Sequence, residues 1–212
     1  MGSYKSFSSL ILSKKPISQK QMIEFFEILK KYEFEGYDYN SRRKVDLNVF
    51  LENSLNDFQY GLLYKNDDFA LSNTINENYV GYTMDNSAEA SRIFVNLTND
   101  FCKSLKEISF SYVDDGGSSP KDIESYIKRL EFKWLFKYNY FGKEYLEKYG
   151  EDFFLNIPSV SSEFITQDII RVDLSKDILS PVDVETQKNV SKYLSQFSIK
   201  VRYYNQKNFF ID

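Results

Sequence analysis

The residues of this sequence that could do chemistry are carboxylates, hydroxyls and one thiol, because the chain contains no histidine. Without an imidazole, the Ser-His-Asp and Cys-His arrangements of nucleophilic catalysis and the usual Cys/His zinc sites are excluded. The single cysteine, Cys102, cannot form an internal disulfide and has apolar neighbours at helical spacing. We interpret it as a small core residue and not as a reactive thiol.

Two acidic pairs are the first candidates for carboxylate chemistry. Asp67-Asp68 and Asp114-Asp115 each stand beside turn-forming residues, and neither has the alternating oxygen ligands of a calcium loop. We interpret both pairs as turns, in which Asp side chains bond to nearby backbone groups. A hydrolase that uses paired carboxylates, as glycosidases do, remains an alternative, although no motif among the 31 acidic residues selects a pair.

Cofactors and nucleic acid are not expected partners of this chain. Neither the GxGxxG nor the GxxxxGK[ST] phosphate-binding pattern occurs, so we expect no cofactor and no metal. The net charge of −4 and the pI near 5.1 argue against a nucleic-acid binder and favour a basic partner. No apolar run is long enough to span a membrane and the N-terminus lacks a signal peptide, so we expect a cytoplasmic protein with no membrane partner.

The most distinctive stretch runs from residue 132 to residue 158, where the only tryptophan and many Tyr and Phe residues stand among Lys and Glu. Aromatic side chains offer a large contact area with few rotatable bonds, and they are enriched at interface hot spots. An aromatic platform for single-stranded nucleic acid is disfavoured, because neighbouring Glu residues cancel the Lys charges. The helical spacing of Trp134 and Tyr138 also places part of the stretch in the core. The sequence therefore predicts protein binding on one side of this stretch and core packing on the other.

The surrounding elements predict an α+β fold with a largely antiparallel sheet flanked by helices. Alternating apolar patterns predict strands over residues 4–12, 60–64, 69–71, 79–84, 92–97, 108–112, 164–175 and 199–204. Capping residues and apolar periodicity predict helices that run from Ser18 to Gly36, from Thr98 to Leu105, from Pro120 to Tyr138, from Lys143 to Tyr149 and from Pro181 to Phe197. We expect one domain over residues 1–212, with a turn at Asp114–Pro120 as a candidate division into 1–115 and 116–212.

The aromatic stretch also carries a family resemblance. The spacing W-x6-FGxEYxxxYG-x-(D/E)-FF-x2-(I/L)P is present from Trp134 to Pro158, and it continues through Ile169–Ser175 into a late Gln-containing helix. Over residues 120–200 the chain resembles the C-terminal half of immunity proteins from bacterial polymorphic-toxin systems, in particular the Immunity protein 52 type. That resemblance implies a protein that is not an enzyme, needs no cofactor and neutralises a cognate protein toxin by contact.

An acidic inhibitor would also be steered to a basic toxin such as a nuclease. If the chain is an immunity protein, the aromatic stretch and its carboxylates are the expected contact surface: Tyr138, Tyr140, Phe141, Glu144, Tyr145, Glu147, Tyr149 and Asp152. Two alternatives stay open beside this hypothesis. One is the carboxylate hydrolase, and the other is a structural subunit that forms a homodimer or larger homo-oligomer through its aromatic face.

Overall fold

The computed structural model describes residues 6–38, 40–46, 60–64, 67–72, 78–85, 88–105, 107–115 and 125–203. The strands are β1 (Ser6–Ser13), β2 (Phe34–Asp38), β3 (Arg43–Val45), β4 (Tyr60–Tyr64), β5 (Asp67–Ser72), β6 (Tyr79–Asp85), β7 (Ile108–Asp114), β8 (Trp134–Leu135), β9 (Tyr138–Phe141), β10 (Ser161–Thr166), β11 (Ile169–Asp173) and β12 (Arg202–Tyr203). The helices are α1 (Gln19–Lys31), α2 (Ala88–Ser104), α3 (Lys143–Tyr149), α4 (Glu151–Leu155) and α5 (Val184–Ser195), with a π-helical segment at Ser125–Arg129.

Ten of these strands form one sheet in the order β10-β11-β9-β7-β1-β6-β5-β4-β2-β3. Every neighbouring pair in it is antiparallel. The two remaining strands, β8 and β12, pair in parallel as a small separate sheet. The prediction of an α+β fold with a largely antiparallel sheet is therefore confirmed. Strands from both sides of residue 115 belong to the same sheet, since β9 pairs directly with β7.

Both faces of the sheet carry a hydrophobic core, because successive side chains of a strand point to opposite sides. Phe7 and Ile11 of β1 pack with the buried faces of α1 and α2 on what we call the first face. Leu10 and Leu12 of the same strand pack with the π-helical segment, α3, α4 and α5 on the second face. The central strands are therefore buried on both sides.

The first predicted helix begins where the sequence indicates and ends earlier. Ser18 and Gln21 form the predicted capping box, in which each side chain accepts a hydrogen bond from the backbone N–H of the other residue. The helix stops at Lys31, and Glu33 adopts a positive φ of 62° that turns the chain into β2. Gly36, predicted as the stop, instead lies inside β2.

The predicted strand over residues 92–97 and the helix cap at Thr98 are both wrong. These residues belong to α2, whose Phe94, Leu97 and Phe101 are buried at helical spacing. Thr98 lies inside this helix, where its hydroxyl donates to the Phe94 carbonyl oxygen at 2.9 Å and accepts from the Tyr82 hydroxyl at 2.6 Å. The helical period continued over seventeen residues outweighs the local β-forming residues.

The predicted helix from Pro120 to Tyr138 is also wrong. Residues 116–124 lie outside the described residues, and after them only Ser125–Arg129 is helical, as a π-helical segment. Leu130 follows with a φ of 51°, which ends the helix, and the chain then extends into β8 and β9. Trp134 and Tyr138 have helical spacing by chance, since they lie on two separate short strands. A short run of apolar residues does not distinguish a strand from a helix.

The C-terminal elements agree with the sequence in kind and differ in number. The single strand predicted over residues 164–175 is a hairpin, with β10 and β11 joined at Gln167-Asp168. The last helix begins as predicted after Asp183, whose carboxylate caps it by accepting from the Thr186 N–H at 2.8 Å. The hairpin predicted in the middle of the chain is present as β4 and β5, with Asp67 and Asp68 in the second strand; Asn66 lies outside the described residues.

Candidate contact surface

The aromatic residues predicted to bind a partner lie mostly in the core. Those with buried side chains are Tyr138, Tyr140, Phe141 and Tyr145. The reason is topological: β9 is an interior strand between β11 and β7, and helices cover both of its faces. These four aromatic side chains cannot line a contact surface in this fold, so that part of the prediction is corrected.

The buried aromatic rings form a continuous network that joins α3 and α4 to the sheet. Phe141 packs at ring-centroid distances of 5.4 Å from Tyr145 and 4.6 Å from Phe154. The Tyr145 hydroxyl donates to the Tyr126 carbonyl oxygen at 3.0 Å, and burial raises its pKa far above the usual range. Tyr149 donates its hydroxyl to the Leu130 carbonyl oxygen at 2.9 Å. The aromatic motif from Trp134 to Pro158 therefore holds the π-helical segment in place and packs the second face of the sheet.

The four remaining predicted residues keep accessible side chains. Glu147 and Asp152 are exposed, Tyr149 is half-buried, and Glu144 is half-buried in an ion pair with Lys14. The structure thus divides the predicted set by location: the residues of β9 and Tyr145 of α3 are internal, and the carboxylates on α3 and α4 are external. Partner binding by these accessible residues stays a prediction.

A second group of exposed residues lies at the end of the sheet, which sequence reasoning missed. The sheet-edge surface, defined as residues 151–166, comprises α4, the connection after it and the edge strand β10. Leu155, Val160 and Phe164 expose 43%, 43% and 38% of their surface there. Helix α4 packs against β10 and β11, so the exposed apolar residues belong to one end of the molecule. The signal in the sequence was the polar run Ser161–Glu163, which is typical of an edge strand.

This end of the sheet is strongly acidic. From α4 to the end of β11, five carboxylates stand against one arginine, which gives the segment the same excess of four negative charges as the whole chain. The charge of Arg171 is paired with neighbouring carboxylates. Its guanidinium forms two hydrogen bonds to Asp173, at 2.8 and 2.9 Å, and an ion pair with Glu163 at 2.7 Å. Its guanidinium also donates to the Asn99 side chain at 3.2 Å, which ties this end of the sheet to α2.

A buried charged cluster lies where β7 ends and β9 begins. The Lys137 ammonium lies 2.8 Å from a carboxylate oxygen of Asp115 and donates to the Ile178 carbonyl oxygen at 2.8 Å. Asp114 accepts from the Asp115 backbone N–H through Oδ1, while its Oδ2 is buried without a hydrogen-bond partner. Asp114-Asp115 was predicted to be part of a turn; Asp114 instead ends β7, both side chains are buried, and residues 116–120 of that turn lie outside the described residues.

The Asp114 carboxyl is expected to make stability depend on pH. Burial, which dominates, together with the negative charge of Asp115, raises its pKa to about 8, although the Asp115 N–H and Lys137 oppose the shift. The ordinary pKa of about 3.9 applies to the unfolded chain. The folded state therefore holds a proton that the unfolded state releases, so this contribution is complete below about pH 4 and is lost as the pH rises to about 8. Urea unfolding at several pH values should show wild type losing stability over this range relative to Asp114→Asn; parallel pH curves would contradict it.

Two further sequence interpretations concern reactive and metal-binding groups. Cys102 is fully buried, which confirms the prediction of a core residue, and burial raises the pKa of its thiol to about 12. Within the ranges that the structure describes, no group of three or more Cys, Asp or Glu side chains is placed to hold a metal ion. No helix in those ranges has the length and apolar character needed to cross a membrane.

Comparisons with known proteins add a fold likeness. No protein-family model matches the chain, and no curated protein matches it. Among solved structures, the chain is similar to the Pseudomonas aeruginosa T6SS protein PA0821, with a TM-score of 0.54 and 10% identity. The likeness covers 90% of this chain and 72% of that one. At this level of identity the two proteins share a fold, and membership of the Immunity protein 52 family stays a prediction.

Proposed function

We propose that this chain is a cytoplasmic immunity protein that neutralises a cognate bacterial toxin by direct contact, without cofactor and without catalysis of its own. The observation that carries the proposal is the sheet-edge surface, where three large apolar side chains are exposed among carboxylates. Apolar anchors inside a charged rim are the usual composition of a protein-binding surface. The surface suits a protein partner better than nucleic acid, whose phosphates its acidic character would repel.

A sequence resemblance and a fold likeness support this function. The spacing from Trp134 to Pro158 resembles immunity proteins of polymorphic-toxin systems, and it builds the core beneath the proposed surface. The protein PA0821, which shares the fold, is described as a T6SS protein. The resemblance implies a toxin as the partner, and the fold shared with a T6SS protein agrees with a role linked to bacterial secretion.

The charge of the surface favours a basic toxin, such as a nuclease. A cluster of carboxylates raises the association rate with a positively charged protein through long-range attraction. Two copies of this chain would instead bring acidic edges together, so the acidic end disfavours a homodimer through this surface. The hydrolase alternative gains little from the structure, because the Asp114-Asp115 pair is buried and Asp115 is paired with Lys137.

The function is tested by co-expression with the toxin encoded beside it, scored for cell survival and for a complex that co-purifies. Survival with a co-purifying complex is the expected result. A catalytically inactive toxin variant allows the affinity to be measured without killing the host. Failure of both rescue and complex formation, with a toxin shown to be active, would remove the proposal.

Reversal of charge on α4 should weaken the complex. Glu151→Lys combined with Asp152→Lys is expected to reduce affinity for a basic toxin roughly tenfold at low salt, mainly through a slower association rate, since both side chains are exposed. The control is Glu24→Lys with Glu27→Lys on α1, which changes net charge equally on the first face. Surface plasmon resonance at two salt concentrations separates the two variants. Equal weakening by both pairs would show that only net charge matters.

A further inference from the structure

The two edges of the main sheet are built differently. At one end, β3 has only three residues and carries Arg43 and Lys44, which is how proteins commonly protect an edge from pairing with another chain. At the other end, β10 has six residues, SSEFIT, without Lys or Pro. In the described part of the chain, no strand pairs with the outer side of β10. This edge therefore lacks the short length and the basic residues of β3, and its pairing with β11 shifts register between Phe164 and Thr166.

The direction of the backbone groups along β11 follows from two hydrogen bonds. The Gly142 N–H donates to the Ser109 carbonyl oxygen at 2.9 Å, so the even-numbered residues of β9 bond to β7 and the odd-numbered ones bond to β11. The Leu174 N–H donates to the Lys137 carbonyl oxygen at 2.7 Å, which agrees. From the register between β9 and β11, the backbone groups of the even-numbered residues of β11 form hydrogen bonds to β9. Those of the odd-numbered residues point to β10.

The same alternation identifies the outward backbone groups of β10. Ser161 is opposite Asp173 and Glu163 is opposite Arg171, so these two residues face β11; just before β10 begins, the Val160 N–H also donates to the Asp173 carbonyl oxygen at 2.8 Å. The N–H and C=O groups of Ser162 and the N–H of Phe164 consequently point away from the sheet, before the register shift that follows Phe164. They form a short template that an extended segment could pair with.

We propose that the outer edge of β10 receives an extended basic segment of the partner protein as an added strand; this inference rests on the proposed function and names its binding mode. Carboxylates lie on both sides of the edge. Glu163 points to the first face and keeps 56% of its side chain exposed, while Glu151 and Asp152 are exposed on α4 over the second face. A docked strand with Lys or Arg would meet negative charge on either face, and its apolar side chains would meet Phe164.

A second copy of this chain is the competing occupant, and electrostatics disfavour it. Pairing β10 with β10 of another copy would bring together two segments that each carry five carboxylates and one arginine. Like charges across a new strand pair are destabilising. A basic segment reverses the sign of that interaction, which is why the proposal commits to a basic partner.

The test compares two substitutions at one position. Ser162→Pro removes the outward N–H and leaves the bonds to β11 in place, because proline is tolerated on an edge strand where its nitrogen faces solvent. Ser162→Ala keeps the N–H and loses the same side-chain hydrogen bond to Ser159, 3.0 Å in length. The probe is a synthetic peptide of alternating Lys and Val, with a Glu/Val peptide as its charge control, and binding is measured by calorimetry.

Wild type and Ser162→Ala should bind the Lys/Val peptide with equal affinity. Ser162→Pro should bind it about tenfold more weakly, because one well-formed hydrogen bond to the peptide is lost. If Ser162→Pro does not fold, amide exchange in wild type decides: peptide at ten times its dissociation constant should slow exchange of the Ser162 and Phe164 amides about tenfold. No binding by wild type, equal binding by all three proteins, or unchanged exchange at these amides would overturn the proposal. The proposal would also be overturned if wild type is a dimer and Ser162→Pro is a monomer, because a second copy of the chain would then occupy the edge of β10.

The same variants separate this inference from the proposed function. If wild type neutralises the toxin and Ser162→Pro neutralises it equally well, the immunity function stands and strand addition is wrong. If the peptide behaves as expected and the toxin is neither bound nor neutralised, β10 remains a docking edge and the immunity function is wrong.

Discussion

Gly142→Ala should lower the free energy of unfolding by about 3 kcal/mol or more, at or above the upper end of the usual overpacking cost. A Cβ atom at this position would lie 1.8 Å from the carbonyl oxygen of Ile108 and 2.8 Å from its carbonyl carbon. These are backbone atoms and cannot rotate away as a side chain would. Relief requires β9 to move away from β7, which would break the hydrogen bond of 2.9 Å from the Gly142 N–H to the Ser109 carbonyl oxygen.

The measurement is urea unfolding followed by the fluorescence of Trp134, the only tryptophan of the chain. Gly142 has a φ of −82°, which alanine adopts without strain, so the cost comes from close approach alone. Gly150→Ala is the matched control: nothing lies within 4 Å of its added Cβ, but its φ is +87°. We expect backbone strain of about 1–2 kcal/mol there. A Gly142→Ala protein with the wild-type midpoint would contradict the close packing of β7 and β9.

Lys137→Met should cost about 3–5 kcal/mol, because it leaves a carboxylate in the interior without its cation. Lys137 is only 3% exposed, and its ammonium contacts both Asp115 and the Ile178 carbonyl oxygen at 2.8 Å. Methionine replaces the aliphatic part of the side chain, so the loss reports on charge more than on packing. The loss of Lys137 is costly because burying a charge without a partner of opposite sign costs several kcal/mol of solvation free energy.

Two controls isolate the charge effect in Lys137→Met. The double variant with Asp115→Asn removes the unpaired buried carboxylate and should recover a large part of the lost stability. The surface pair Lys15 and Glu107 has a similar distance of 2.6 Å, but 67% of the Lys15 side chain is exposed. Lys15→Met should therefore cost about 0–1 kcal/mol. If the Lys137 and Lys15 substitutions cost the same in urea unfolding at pH 7, Lys137 is not buried in solution.

The elements that the sequence specified correctly are those with a local physical signal. The capping box at Ser18 and Gln21, the helix from Lys143 to Tyr149 and the Asp183 cap are determined by residues within one or two turns of each other. The alternation in β1 and β7 likewise reflects neighbouring residues. Local hydrogen bonds and periodicity belong to the chain itself, so they can be recognised without the fold.

The site predictions failed where burial depends on neighbours that are distant in sequence. Tyr140 and Phe141 have the composition of an interface, but they are internal because β9 inserts between β7 and β11, which come from different parts of the chain. Nothing in the local sequence shows on which strands they will pack. The same holds for Lys137 and Asp115, whose pairing brings together residues that precede β9 and follow β7.

The sequence by itself determined the α+β class, the absence of histidine-based chemistry, the acidic character and the aromatic motif with its resemblance. Only the tertiary structure decided which side chains are accessible, that β10 is an edge strand and that its outward backbone groups lie between carboxylates on two faces. The physical reason is that composition and local hydrogen bonds are properties of the chain. Exposure and strand order arise only when distant segments compete for the same buried positions.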